Sequence, residues 1–220
     1  MPFTSLYEQL YPLTTIMKQR LVENFSGNIL DIDRWGLYDG TYVMSDEADG
    51  GLLITTGPAT YAAGTVGFAE AGNSTPTVSQ YANPCTMIFN LRSVTTTQPN
   101  THGGGLVGQI RGDMANNNSA IWVERANFTK WVQRNIDGSG NQSDVASTLS
   151  YTQDNQDWHN FKLELDGVTT KGSIDGVLAT VNSTYTPASS QKLSPMWGMQ
   201  NQTNGSPTSI AVNYCEVYNN

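Results

Sequence analysis

The stretch from Trp158 to Val181, WHNFKLELDGVTTKGSIDGVLATV, constrains the fold of this chain more than any other. Phe161, Leu163 and Leu165 alternate with Lys162, Glu164 and Asp166, the two-residue period of a strand with one buried and one wet face. That run stops at Asp166-Gly167. A second, Thr169 to Ile174, reaches Asp175-Gly176, and a third, Val177 to Val181, comes after it. Asp-Gly suits tight hairpin turns, because Gly takes positive φ without a Cβ clash and Asp bonds to nearby backbone. The pattern predicts an antiparallel meander. A helix is excluded, since Gly167, Gly172 and Gly176 would each weaken it and no three-to-four spacing of apolar residues occurs.

The rest of the chain agrees with an all-β protein. Its 220 residues suit one sizeable sandwich, and 21 Gly with only 14% charged residues describe short strands joined by polar turns. A net charge of −8 without a basic cluster opposes binding to nucleic acid or to an anionic membrane. No apolar run approaches the roughly 20 residues of a membrane helix, and no secretory signal is evident at the N-terminus, so no membrane insertion is expected. Cys85 and Cys215 can pair or lie buried as small apolar thiols, but two cysteines cannot make a four-ligand zinc site.

Residues 1–21 differ in character from residues 22–220. Leu6, Leu10, Leu13, Met17 and Leu21 recur at helical spacing among polar residues, with Pro12 breaking or starting a segment. They are expected to form an arm, helical or built of turns, that caps the sandwich or docks on a neighbour; residues 22–220 are expected to form the sandwich itself. Asp31, Asp33, Asp46 and Asp49 carry oxygens that calcium could use, but their spacing matches no established calcium loop, so they read as turn acids and no metal or cofactor is expected. The run His102-Gly103-Gly104-Gly105 could serve an esterase oxyanion hole, yet the Gly-x-Ser-x-Gly nucleophile turn is missing. It reads as three glycines entering a strand. Trp122, Trp131 and Trp197 are the candidate glycan-binding residues, because an exposed indole can stack on the apolar face of a sugar.

The meander, the opening F-S-G…L-D…R-W at residues 25–35 and the closing V-N-Y-C-E-V-Y at residues 212–218 resemble the concanavalin A-like lectin/glucanase and laminin-G-like superfamily, with Asn213 where Asp is usual. The resemblance implies a two-sheet antiparallel jelly-roll β-sandwich whose first and last strands lie together. It also assigns Trp35 and Trp158 to packing. Laminarinase-like glycosidases of that fold carry E-x-D-x-x-E on a mid-chain strand, whose alternation aims the acids into one cleft. This chain has no such triplet; around Ile121 to Arg125 only Glu124 is acidic. Related lyases use His, Tyr and Arg, and His102, His159, Arg111 and Tyr151 show no spacing that gathers them.

The resulting expectation is a non-catalytic interaction protein. In outline it resembles jelly-roll proteins on the virions of aquatic tailed phages, which implies assembly in a host cytoplasm and a place on the virion surface as capsid decoration or tail appendage. Residues 1–21 would then dock on other virion proteins or on further copies of the chain, and a cell-surface polysaccharide would be a further partner. A free carbohydrate-binding module, or a polysaccharide-degrading enzyme of the same fold, is the alternative.

Overall fold

A computed structural model of the chain describes residues 20–25, 35–39, 42–46, 51–56, 63–68, 81–82, 84–94, 100–108, 118–123, 130–150, 156–189, 191–201 and 209–220. Among them the regular elements are all strands: β1 Arg20–Glu23, β2 Trp35–Asp39, β3 Tyr42–Asp46, β4 Leu52–Thr56, β5 Ala63–Phe68, β6 Tyr81–Ala82, β7 Cys85–Ser93 and β8 Asn100–Val107. They continue as β9 Asn118–Val123, β10 Lys130–Ile136, β11 Gln142–Ser150, β12 His159–Leu165, β13 Thr170–Ile174, β14 Val177–Asn182, β15 Lys192–Asn201 and β16 Ser209–Asn219. Two antiparallel sheets result. The first runs β14-β13-β12-β7-β16-β4-β3 with β1 also on β16; the second runs β11-β10-β9-β8-β15-β5-β2 with β6 on β15.

The predicted meander is β12-β13-β14. Buried Phe161, Leu163 and Leu165 alternate with half-exposed Lys162 and Glu164 as the sequence requires. At the second turn Asp175 and Gly176 both take positive φ, 50° and 80°, the combination a two-residue hairpin needs. The Asp175 carboxylate accepts from Asn160 N at 2.8 Å and lies 2.7 Å from His159 Nδ1, tying the turn to the start of β12. At the first turn Asp166 Oδ1 accepts from Thr169 N and Val168 N at 2.6 and 2.9 Å. These bonds, Thr169 first, hold the Asp166 carboxyl below its ordinary 3.8.

The core lies between the sheets. β12 meets β7 with Phe161 opposite Phe89 and Leu163 opposite Met87, and β7 meets β16 with Phe89 opposite Cys215. Phe89 and Phe161 stack at 5.0 Å, and Trp131 from the second sheet stands edge-on to Phe161 at 4.5 Å. Burying one such large apolar side chain contributes about 1.5–3 kcal/mol. Cys85 and Cys215 are free and buried in this layer, and burial pushes the Cys85 thiol up to about 12.

Beside the core, the edges β11 and β14 are joined by polar groups. Thr180 Oγ1 donates to Gln133 Oε1, Gln133 Nε2 donates to Asn135 Oδ1 at 3.2 Å, and Asn135 Nδ2 donates to Thr184 O at 3.2 Å. Asn182 Nδ2 donates to Ser143 O at 3.1 Å. Gln133, Asn135, Thr180 and Asn182 are buried, so each bond carries the weight of a group that water cannot reach.

The segment His102-Gly103-Gly104-Gly105, read as glycines entering a strand, lies in β8, paired with β15 on one side and β9 on the other. The glycine backbone is thereby committed to ladders and is not free to bind an oxyanion. The strand passes there because a Cβ on Gly104 would meet Trp197 Cδ1 at 2.5 Å. Strands β11 and β15 carry weak alternation in the sequence and were not among the expected elements. Of the arm expected at residues 1–21, residues 1–19 lie outside the described residues, while Arg20 and Leu21 belong to β1 and pair with β16; the acids Asp31, Asp33 and Asp49, and Arg111 and Tyr151, also lie outside them.

Candidate functional site: the outer face of the second sheet

Each sheet has one face on the core and one away from it. On β10, Trp131 belongs to the core, and Gln133 and Asn135 bond toward β13 and β14, so Val132, Arg134 and Ile136 occupy the outer face. On β8 and β15, Leu106, Leu193 and Trp197 belong to the core, which puts Val107 and Met196 on the outer face. Val107, Val132, Ile136 and Met196 are buried, yet none belongs to the core cluster between the sheets. Burial at those positions means that the outer face is covered there rather than open to solvent.

Toward β11 the same face becomes polar. Arg134 holds Asp144 through two hydrogen bonds, Nε to Oδ1 at 2.7 Å and Nη2 to Oδ2 at 2.5 Å, and Gln142 Nε2 donates to Asp144 Oδ2 at 3.2 Å. The pair is partly exposed and charge-balanced. Exposed pairs contribute little to stability, so its consequence is a fixed bank of donors and acceptors beside the covered region.

The three tryptophans chosen from the sequence separate. Trp131 and Trp197 are core residues at 3% and 0% exposure, so neither ring can receive a sugar. Trp197 is enclosed by Phe25 at 5.5 Å and Phe89 at 6.5 Å, both edge-to-face. The expectation of exposed platforms at 131 and 197 is therefore corrected: in a two-layer sandwich the inward positions of the central strands take the bulkiest rings. Trp122 occupies the β9 position in register with Gly103 on β8 and Val132 on β10; its side chain lies outside what is described. Trp158 is half-buried at the start of β12, with the Arg92 guanidinium 5.1 Å from its ring centroid.

β9 contributes Asn118, Ser119, Ala120, Ile121, Trp122 and Val123, and Glu124, the next residue, lies outside the described residues. Asp144 stands two strands away, roughly 9–10 Å across the sheet, and is already held by Arg134. Among the described residues no group of three or more His, Cys, Asp or Glu comes together as a metal would require.

No known family model matches the chain, and no curated protein matches it. Solved structures do. The β-glucanase of Bacillus licheniformis matches with a TM-score of 0.64 at 14% identity, covering 91% of this chain and 98% of that one. The laminarinase catalytic domain of Thermotoga maritima matches at 0.64 and 12% identity, covering 92% and 98%. The Crh5 transglycosylase in complex with NAG matches at 0.62 and 10% identity, covering 91% and 84%.

This chain has the jelly-roll fold of those glucanases. The concanavalin A-like architecture expected from the meander and the two terminal motifs is thus present. The expectation of a non-catalytic virion protein is overturned by these matches, whose names are those of a transglycosylase, a β-glucanase and a laminarinase. The absence of E-x-D-x-x-E carried too much weight, because that motif is one way of placing two carboxyls on a sheet face and not a condition of the fold.

Proposed function

We propose that this chain processes a polysaccharide, which it holds across the outer face of the second sheet. The observation that carries the reading is the match of both sheets, over nine tenths of the chain, to domains described as glucanase, laminarinase and transglycosylase. The partly exposed Arg134–Asp144 pair on that face supplies fixed donors and acceptors that suit a ligand with a fringe of hydroxyls. Hydrolysis needs two carboxyls, about 5 Å apart for retention and about 6.5–9.5 Å for inversion. Glu124, directly after β9 in the sequence, is the acid we assign to the chemistry.

The test is product release from a panel of soluble β-glucans, galactans and chitin oligomers, followed as new reducing ends and by chromatography for transfer products. The expected result is turnover by the wild type that Glu124→Gln abolishes while leaving glycan retention in affinity electrophoresis intact. Turnover untouched by Glu124→Gln would remove that residue from the mechanism. Neither product nor retention on any glycan would overturn the reading as a whole.

A further inference from the structure

Among the described side chains the exposed large apolar ones are Val22, Val168, Val177, Leu178, Val181 and Tyr185. All but Val22 fall within residues 168–185, on β14 and in the turns at its two ends. Apolar exposure gathered in one place, rather than scattered singly, marks an interaction surface.

The residues of β14, VLATVN, produce this stripe through their register. Ser173 on β13 faces Leu178 while Gly172 faces Thr180, so Ala179 is one residue too many and β14 carries a bulge. The bulge turns Ala179 and Thr180 together into the interior, where both are buried, and leaves Leu178 and Val181 on the outer face beside Ser173 and Lys171. Past the strand, Tyr185 takes a φ of 51°, a conformation that a bulky side chain rarely adopts. Its neighbours hold it there: Asn135 Nδ2 donates to Thr184 O at 3.2 Å, and Thr186 Oγ1 donates to Val168 O at 2.7 Å. The second bond sets Tyr185 and Val168 at the same end of the stripe.

Two features select the occupant. β14 is the edge of the first sheet, yet it is closed to an added strand. It is bulged, Ala179 O accepts from Thr148 Oγ1 at 3.4 Å, and Asn182 O accepts from Asn135 Nδ2 at 3.3 Å. An extended peptide therefore finds no ladder to join, and the occupant is a folded surface with an apolar stripe of its own. The strand carries no charge, but its two ends are flanked by opposite signs: half-exposed Asp175 at the hairpin with β13, and exposed Lys171 opposite Val181. Two such stripes laid antiparallel about a two-fold axis bring each Asp175 toward the partner's Lys171 and each Leu178 toward the partner's Val181.

We propose that this stripe is a two-fold interface with a second copy of the chain, with Leu178 and Val181 at its centre and Lys171–Asp175 pairs between the copies at its ends. The contact does not depend on the polysaccharide reading. Specific interfaces bury about 1,200–2,000 Å² in total, and a stripe one strand wide falls at the low end, so the dimer is weak and concentration-dependent.

Sedimentation velocity of the full chain from about 1 μM to about 1 mM reads the association, with Tm as the control for folding. The wild type is expected to pass from monomer to dimer across that series. Leu178→Lys and Val181→Lys replace half-exposed side chains, so each is expected to keep Tm within about 2 °C. Each is also expected to weaken dimerisation at least about 10-fold, because the contact would have to desolvate a charge at its centre. Zero-length amine–carboxyl cross-linking of mixed isotopically light and heavy chains is expected to join Lys171 to the partner's Asp175. A wild type that stays monomeric throughout would overturn the proposal and leave the stripe to a different partner. A dimer that survives both lysine substitutions would overturn it too, since its contact would lie elsewhere.

Discussion

Replacing Gly104 by alanine tests the packing on which both sheets depend. The added Cβ would stand 2.5 Å from Trp197 Cδ1, 2.8 Å from its Nε1 and 3.1 Å from Phe89 Cε2. Carbon atoms in contact sit about 3.5–4.0 Å apart, so the ring must retreat by roughly 1 Å. It has nowhere to go. Trp197 is fully buried, with Phe25 and Phe89 edge-on against it. Overpacking of this kind costs about 1–3 kcal/mol, and the gain from replacing a strand glycine offsets about 0.5–1 kcal/mol. A net loss of about 1 kcal/mol corresponds to a Tm lower by about 2–4 °C in a chain of this size. Urea unfolding followed by circular dichroism and tryptophan fluorescence reads it, and the control is the same substitution in a Trp197→Leu background. There the methyl has room, so Gly104→Ala should cost nothing or stabilise, giving a coupling of about 2 kcal/mol between the two positions. An equal cost in both backgrounds, or stabilisation in the wild-type background, would refute the idea that Gly104 exists to admit the indole.

Two further outcomes are expected. Thr180→Val keeps the shape of the side chain but strands Gln133 Oε1 in a buried site, and should lower stability by about 1–3 kcal/mol in urea unfolding; an unchanged midpoint would mean that the network between β10 and β14 contributes nothing. Asp137 is held below its ordinary 3.8, first by the side-chain amide of Asn141 and then by the backbone N–H groups of Asn141, Ser139 and Gly140. A carboxyl lowered in the folded state stabilises above its unfolded value, and that stabilisation is lost as pH falls through the folded one. Tm should therefore drop on acidification below about pH 4 less steeply in Asp137→Asn than in the wild type, and parallel profiles would count against the turn as an acid-sensitive element.

What the sequence disclosed is uneven for physical reasons. The meander was legible because Phe161, Leu163 and Leu165 alternate strictly and both turns carry Asp-Gly, so the local pattern and the tertiary answer coincide. β15 was not legible, because Ser194, Pro195, Met196, Trp197 and Gly198 are buried or nearly so on both faces, and a strand covered on two sides shows no alternation. The same cause misdirected Trp131 and Trp197. Exposure is a property of the layer a ring enters, and the face assignment needed registers that only the sheets provide. The non-catalytic expectation followed from a missing motif, whereas the arrangement of strands, shared with solved structures named as transglycosylase, β-glucanase and laminarinase at 10–14% identity, leaves few traces in residue identity.

The place of β16 governs how the protein can be made. It lies inside the first sheet, flanked by β7 on one side and by β4 and β1 on the other, although it follows all of them in the sequence. Until residues 209–219 emerge, β7 and β4 each present a row of bare amide and carbonyl groups to any passing chain. β16 therefore joins by insertion rather than by addition at an edge, which predisposes the nascent chain to slow closure and to misassembly with its own copies. Loss of residues 209–219 would leave β14-β13-β12-β7 and β4-β3 as separate open pieces with β1 unpaired, not a slightly smaller sandwich.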